Sequence, residues 1–281
     1  MRYGISVPNF GSFADVRKTA DLARDAERAG WDGFFVWDHI SEKAGFVPGT
    51  PIADPWIVLT AIALATERMR VGALVTPLAR RRPWKVARET VTLDRLSNGR
   101  LIFGAGLGFP PEEFSTFGED ADERTRSRKL DEALDVLTGL WSAKPFAFEG
   151  EHYTVRETTF SPPPVQSPRI PIWVAGMWPS RPPFRRAAKW DGVVPIHADI
   201  TPLSVDELRD IVAYVQSNRA SGDPFDVVIG GESSGNGPYV WKTPLSQYEA
   251  AGATWWNESL TDWRGQYEDL GEVIRRGPPR G

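Results

Sequence analysis

The chain contains no cysteine. Disulfides, thiolate nucleophiles and cysteine-ligated zinc are therefore excluded. Histidine is scarce: His39, His152 and His197 are the only three, and their separations do not fit the H-x₃₋₅-H spacing of a zinc site, so no metal is expected. Long apolar runs are also missing. No stretch approaches the roughly 18 residues of a membrane span, and the opening MRYGISVPNF has no apolar h-region of a signal peptide. A cytoplasmic protein without a membrane partner is the expectation. Clustered positive charge is lacking too. The net charge is −4 and the one basic run, Arg80-Arg81-Arg82, is too short for a nucleic-acid face. An α/β-hydrolase with a nucleophile elbow is not expected.

What is present is ordinary globular composition in a long chain. Apolar residues make up 41% and charged residues 25% of 281 residues. That length suits one large α/β domain, since barrels of about 250 residues form single units. Tryptophan is abundant, with 12 residues that either fill a core or line a ring-shaped pocket.

Short β-rich runs alternate with helical patterns. Tyr3–Pro8, Gly33–Trp37, Met69–Thr76 and Leu101–Leu107 read as strands. Between them, Asp15–Ala29, Pro55–Thr66 and Pro83–Leu96 read as helices, two of them opened by proline. Leu130, Ala133, Leu134, Leu137 and Trp141 mark an amphipathic helix. Phe146–Val155 predicts a hairpin, followed by a proline-rich connection, Ser161–Pro171. Ile172–Ala175, Val193–Ile196, Val227–Gly230 and Thr254–Asn257 complete the strands. Ser204 with Glu207 and Ser246 with Glu249 predict capping boxes, and a last helix fits Tyr267–Arg275. The most economical fold is a single α/β domain over residues 1–281, a (β/α)₈ TIM barrel with an insertion between strands 4 and 5. A doubly wound open sheet is the alternative.

Both folds place sites at the C-terminal ends of strands. His39 follows a buried strand there and is the natural acid or base near neutral pH. Asp38 either orients its ring or caps the loop. Gly104-Ala105-Gly106-Leu107-Gly108 also ends a strand. It is not a dinucleotide fingerprint, because Phe109-Pro110-Pro111 follows and withholds the N–H groups of a helix start. Close approach of backbone to a flat ligand is the better reading. Arg181 and His197 could meet an anionic group, or serve only as a surface cation and an ion-pair partner. The run Gly230-Gly231-Glu232-Ser233-Ser234-Gly235 is either a phosphate-binding or a plain loop.

These motifs together resemble the luciferase-like monooxygenase superfamily. The resemblance is carried by Trp31-Asp32-Gly33 with Val36-Trp37-Asp38-His39, by Val71–Pro77, by Ala87–Thr90 with Leu93-Asp94-Arg95-Leu96-Ser97-Asn98-Gly99-Arg100, and by Gly104–Gly108. Phe148–Tyr153, Pro171–Gly176 and Ala187–Gly192 extend it to about residue 200. The resemblance implies a barrel that binds reduced FMN or the deazaflavin coenzyme F420. It places the ring against a bulge, often a non-proline cis peptide, at Ala73-Leu74 or nearby, with Val75 and Thr76 beside it. It puts His39 near the reactive ring, with Asp38 assisting, Gly106 and Gly108 along the cofactor and Gly176-Met177 near its phosphate. Arg181 or His197 would complete that phosphate site, because Met177-Trp178-Pro179 stands where glycine and serine are common. Trp37, Phe109 and Trp178 would wall the substrate pocket, and Pro110–Asp122 would be a lid. Phe109 replaces a glutamate that some deazaflavin-dependent dehydrogenases use as proton donor. The implied activity is first a monooxygenation by reduced FMN and O₂ on a small organic substrate, with a flavin reductase as supplier. Hydride transfer with F420 is the alternative. A homodimer through the second and third helices is also implied. Two rivals remain: a glycoside hydrolase using Asp38, Glu232 or Glu258, and a flavin-binding relative without catalysis.

Overall fold

The computed structural model describes residues 1–44, 47–234 and 240–279, so Gly235 of the run after the seventh strand lies outside the described residues. Eight parallel strands alternate with eight helices: β1 (Arg2–Val7), α1 (Val16–Ala29), β2 (Gly33–Val36), α2 (Pro55–Ala65), β3 (Arg70–Ala73), α3 (Pro83–Leu96), β4 (Phe103–Gly106), α4 (Glu123–Trp141), β5 (Ile172–Trp178), α5 (Pro182–Ala187), β6 (Gly192–His197), α6 (Val205–Asn218), β7 (Asp226–Gly231), α7 (Leu245–Ala250), β8 (Trp255–Ser259) and α8 (Tyr267–Arg276). The insertion between β4 and α4 carries a helical turn, Glu112–Ser115, and a hairpin of Phe146–Glu149 and Thr154–Thr158 lies between α4 and β5. No helix among the described residues is long and apolar enough to cross a membrane.

The strands follow the order β3-β2-β1-β8-β7-β6-β5-β4. The ring closes through the third strand, which comes in two pieces. Arg70–Ala73 pairs with β2; after the cis peptide Leu74-Val75, Thr76–Pro77 pairs with β4. Lower down, Val71 N–H donates to Arg100 O at 3.1 Å and Ile102 N–H donates to Val71 O at 2.9 Å. The break replaces the continuous strand expected over Met69–Thr76. The expected bulge sits one residue beyond Ala73-Leu74.

Local signals start most helices. Asp15 accepts from the N–H groups of Arg17 and Lys18, and Asp54 accepts from those of Trp56 and Ile57. The Ser204–Glu207 capping box forms as expected. The one at Ser246 does not. Pro244 is the N-cap and α7 begins at Leu245, so Ser246 is already inside the helix and cannot cap it. β5 also runs past Ala175, because its ladder with β6 continues to the pair Trp178 and His197.

Alternate strand residues face in and out. Ile5, Val7, Phe34, Val36, Val71, Phe103, Ile172 and Val174 belong to the core that includes the helices. Phe35, Ile102, Trp173, Val228 and Trp255 form a separate core inside the barrel. Phe35 and Trp255 each lie within 5.4 Å of Trp173, centroid to centroid. Glycines make room for these rings: a Cβ on Gly33 would come within 2.8 Å of Phe35, and one on Gly192 within 2.4 Å of Trp173. The barrel is therefore plugged by aromatic side chains in its lower half. Above the plug the inward residues open to solvent. Leu74, Ala175 and Val194 are partly exposed, Gly230 is exposed, and Met177 and Ile196 reach 37% and 39% exposure. The result is a bowl at the C-terminal ends of the strands.

Candidate active site

His39 leaves the end of β2 at the rim of this bowl, and Asn9, just past β1, fixes its backbone. The Asn9 amide donates to His39 O and to Ala53 O, each at 2.7 Å, and accepts from His39 N–H at 3.0 Å. Asn9 is fully buried, so these bonds are made away from competing water. Around the imidazole stand Phe10, 5.8 Å away between ring centroids, and Trp37, at 6.2 Å. Trp263 packs on both of these aromatics and is itself exposed. Trp37 is held by its indole N–H, which donates to Ser6 Oγ at 2.9 Å.

Beneath His39 lies a network of four charged side chains. Asp38 accepts from Arg80 at 2.6 Å and from Arg81 at 2.8 Å. Glu113, from the insertion after β4, accepts from Arg80 at 2.7 Å and from the N–H groups of Ile40 and Ser41 at 2.7 and 3.1 Å. Its Oε2 is 3.4 Å from His39 Nδ1, and its side chain is fully buried. Burial alone would push the Glu113 carboxyl up, but His39, the Ile40 N–H and the Arg80 charge together hold it below the usual carboxylate range. Asp38 thus neither orients the ring nor caps the loop through its side chain; it ties the loop to Arg80 and Arg81. Sequence reasoning missed Glu113, whose residue type and distance along the chain gave no signal. The base of the expected Pro110–Asp122 lid is the segment that Glu113 clamps.

Other expected residues fall in two groups. Leu74, Val75 and Thr76 lie at the third-strand break, following Ala73, the last residue of β3. Gly106 faces them, since a Cβ there would come 2.4 Å from Val75; Gly108, at φ +82°, packs against Pro77 and Phe114. These glycines are explained by contacts inside the protein. Phe109 is exposed beside them.

Across the bowl, Gly176 admits α5, where a Cβ would meet Pro183 at 2.7 Å. Trp178 is buried against Phe184 and supports Arg181. The Arg181 guanidinium is clamped between the Trp178 and Tyr214 rings, 4.3 and 4.6 Å from their centroids. Arg181 is exposed, and among the described residues no carboxylate pairs with it. His197 has an acidic partner, Glu207, 3.3 Å from its Nε2.

The strand-end carboxylates are engaged with other protein groups. Glu258 is fully buried and its oxygens receive Arg264 and the Trp256 indole, at 2.7 and 2.8 Å. Asp38 is engaged as described. Burial pushes the Glu232 carboxyl up despite Arg264 nearby. The order G-x-S-x-G does occur, at residues 231–235. A nucleophile elbow is a strand-to-helix turn. Here Glu232 instead bridges to Val240, and the Ser233 N–H donates to Glu258.

Comparison with known proteins bears on the fold and the family. The family model described as luciferase-like monooxygenase matches residues 1–231. An uncharacterized protein of Mycobacterium tuberculosis is 28% identical over 222 residues, 74% of each chain. An F420-dependent glucose-6-phosphate dehydrogenase of Kineococcus radiotolerans is 32% identical over 166 residues, 58% of this chain and 47% of that enzyme. Among solved structures, an F420-dependent secondary alcohol dehydrogenase superposes with TM-score 0.79 at 15% identity, covering 99% of this chain and 98% of that one. A monooxygenase from Streptomyces bottropensis gives 0.77 at 20%, covering 98% and 97%. These two establish likeness of fold. With a family model matched over most of its length, the chain belongs to the luciferase-like monooxygenase family of oxidoreductases.

Proposed function

We propose that the chain is an oxidoreductase that holds a flavin-type cofactor in the bowl, and that this cofactor is the deazaflavin F420. The observation that carries the reading is His39 fixed by Asn9 at the bowl's rim, at the end of β2 and so beside the interrupted third strand that pairs with it, above a floor of half-exposed apolar residues. The ring fits what the floor offers. Thr76 Oγ1 and Asn257 Oδ1 are buried without a partner among the described residues, and a flat ligand edged with N–H and carbonyl groups would satisfy them. The phosphate end finds fewer donors. Pro179, Pro182 and Pro183 have no N–H, and the Ser180 N–H donates to Met177 O. The clamped Arg181 is then the anchor for an anionic group, with a smaller role for His197 beside its glutamate.

Bound there, F420 supplies hydride transfer. His39 would hold or deliver the proton that accompanies it. Phe10, Trp37 and Trp263 on one side and Phe109, Met177 and Ile196 on the other would exclude water and favour an apolar organic substrate. F420 is placed before FMN, the first expectation from sequence, because dehydrogenases that use it are among the more similar relatives. Phe109, in place of the proton-donating glutamate of some such dehydrogenases, favours the second reading: a monooxygenase using reduced FMN and O₂, supplied by a flavin reductase. Titration of the protein with F420, FMN and reduced FMN, followed by absorbance and fluorescence, separates these. Binding of F420 alone is expected. Binding of reduced FMN alone would favour the monooxygenase, and binding of none would sink both. Binding without turnover on a substrate panel would leave a non-catalytic relative.

A homodimer completes the proposal. α2 is apolar on every side, and Ile57 and Leu64 on it are 63% and 70% exposed, with Leu96 at the end of α3 at 42%. A helix apolar all round belongs in an interior, and a second copy covering α2 and α3 would provide one.

A further inference from the structure

We propose that Glu113 is a positioning residue that fixes which nitrogen of His39 carries the proton. The inference rests on the reading of His39 as the acid or base of the site. Glu113 stands at the ring's Nδ1 and belongs to a network of four charges: Asp38 and Glu113 are anionic, Arg80 and Arg81 cationic, and all four side chains are at most 18% exposed. A neutral imidazole presents one N–H and one lone pair, and the neighbour at Nδ1 decides which. That neighbour is Glu113 Oε2, 3.4 Å from a buried Nδ1 and so a long contact rather than a tight hydrogen bond, on a carboxyl held low as described. Among the described residues, the rings of Phe10 and Trp37 also stand against His39 and carry no charge. Nδ1 thus keeps the proton, and the lone pair is on Nε2, the nitrogen that would exchange a proton with substrate.

Glu113 is built for this. Its Oε1 takes both backbone N–H groups, from Ile40 and Ser41, which leaves Oε2 for Arg80 and His39. Glu113→Gln can keep only one acceptor. With the amide oxygen retained by Ile40 and Ser41, the NH₂ group stands where Oε2 was; the Arg80 N–H loses its acceptor there and has to turn aside, and the NH₂ donates to Nδ1. The imidazole must then move its proton to Nε2, turning the reactive nitrogen from acceptor to donor. Asp38 is no substitute, since its oxygens face Arg80 and Arg81.

The experiment is ¹⁵N NMR of histidine-labelled protein without cofactor. The chain has three histidines, and His39→Asn identifies the resonances. At a pH where His39 is neutral, the wild type should show a protonated Nδ1 and an unprotonated Nε2, and Glu113→Gln should show the reverse. In turnover, Glu113→Gln should lower kcat by roughly 100-fold, the low end of general acid–base contributions, with KM changed much less. A wild-type spectrum with the proton on Nε2 would overturn the proposal, and decides it even if the variant does not fold. An unchanged tautomer in Glu113→Gln would overturn it as well. Reversal without loss of turnover would uphold Glu113 as the positioning group and sink instead the catalytic reading of His39.

Discussion

Arg100 offers a severe test of how the scaffold is held. It ends the Leu93–Arg100 block that carries much of the family resemblance, yet it is only 8% exposed and far from His39 in role. Its Nε donates to Ser97 O at 2.7 Å. Nη1 donates to Thr66 Oγ1 and Met69 O at 2.8 and 3.1 Å, and Nη2 to Ala63 O and Thr66 O at 2.7 and 3.0 Å. One guanidinium therefore satisfies the last carbonyls of α2 and the turn after α3 together. Hydrogen bonds from a charged donor contribute about 1.5–3 kcal/mol each, but five in one group are not additive. Removing the guanidinium leaves several buried acceptors unsatisfied, at about 1–3 kcal/mol for each that water does not reach. Arg100→Met should therefore destabilise the fold by about 4 kcal/mol, a large share of the ~5–15 kcal/mol that holds a domain. In a chain of this length the thermal midpoint should fall by about 8–16 °C. Urea unfolding followed by tryptophan fluorescence reads the change as a shift in midpoint at constant slope. Arg100→Lys keeps the charge but lacks the planar fork, and should recover less than half of the loss. A loss under about 1 kcal/mol for Arg100→Met, or full rescue by lysine, would refute the assignment of these carbonyls to one planar group.

Three further outcomes follow from the same coordinates. Gly72→Ala places a methyl 2.2 Å from the Ile102 carbonyl oxygen inside the barrel, where backbone must move, and should cost about 1–3 kcal/mol by calorimetry, whereas neutrality would mean the strands are not that close. Glu27 accepts from the N–H groups of Glu67, Arg68 and Met69; burial alone would raise its carboxyl, but these donors and the Arg68 charge hold it below its ordinary value. Its stabilising contribution is thus present above the unfolded carboxylate range and lost as pH falls through the lowered folded value, so the gap in melting temperature between wild type and Glu27→Gln should close on acidification; a gap constant from about pH 7 to about pH 3 contradicts this. Leu64→Asp should convert the proposed dimer to monomer in sedimentation without lowering the melting temperature of the monomer, and a wild type that sediments as a monomer removes the premise.

Much of the barrel was legible because its signals are local. Strand runs bounded by glycine and proline, the proline that opens α2 and the Ser204–Glu207 box each act over a few residues; most of the strands and this box appear where they were expected. The misreadings occur where a distant partner decides. The third strand breaks because its two halves pair with different neighbours, and no property of Met69–Thr76 alone shows that. β5 extends because β6 continues alongside it. Ser246 lost its cap because Pro244 started the helix earlier. The site divides in the same way. His39 could be picked out as a rare residue type at a strand end. Asn9 and Glu113 could not, since the groups they hold come from other loops.

The same contrast bears on what the resemblance can and cannot say about chemistry. The residues of the long Leu93–Arg100 block are occupied with structure. Asp94 accepts from the Val165 and Gln166 N–H groups at 2.7 and 3.3 Å, Asn98 and Gly99 make the left-handed turn at φ +53° and +77°, and Arg100 ties off two helices. Gly106, Gly108 and Gly176 likewise admit neighbouring protein atoms. Such positions identify a scaffold, and any chemistry that uses the scaffold would preserve them. Under the proposed function, what distinguishes one cofactor or substrate from another stands in the bowl: Phe109, Met177 and Arg181, with the three prolines around the last. The resemblance marks Phe109 and the Met177-Trp178-Pro179 loop as departures from the family's pattern, so substitution there, rather than in the signature block, is what should alter specificity while leaving the barrel intact.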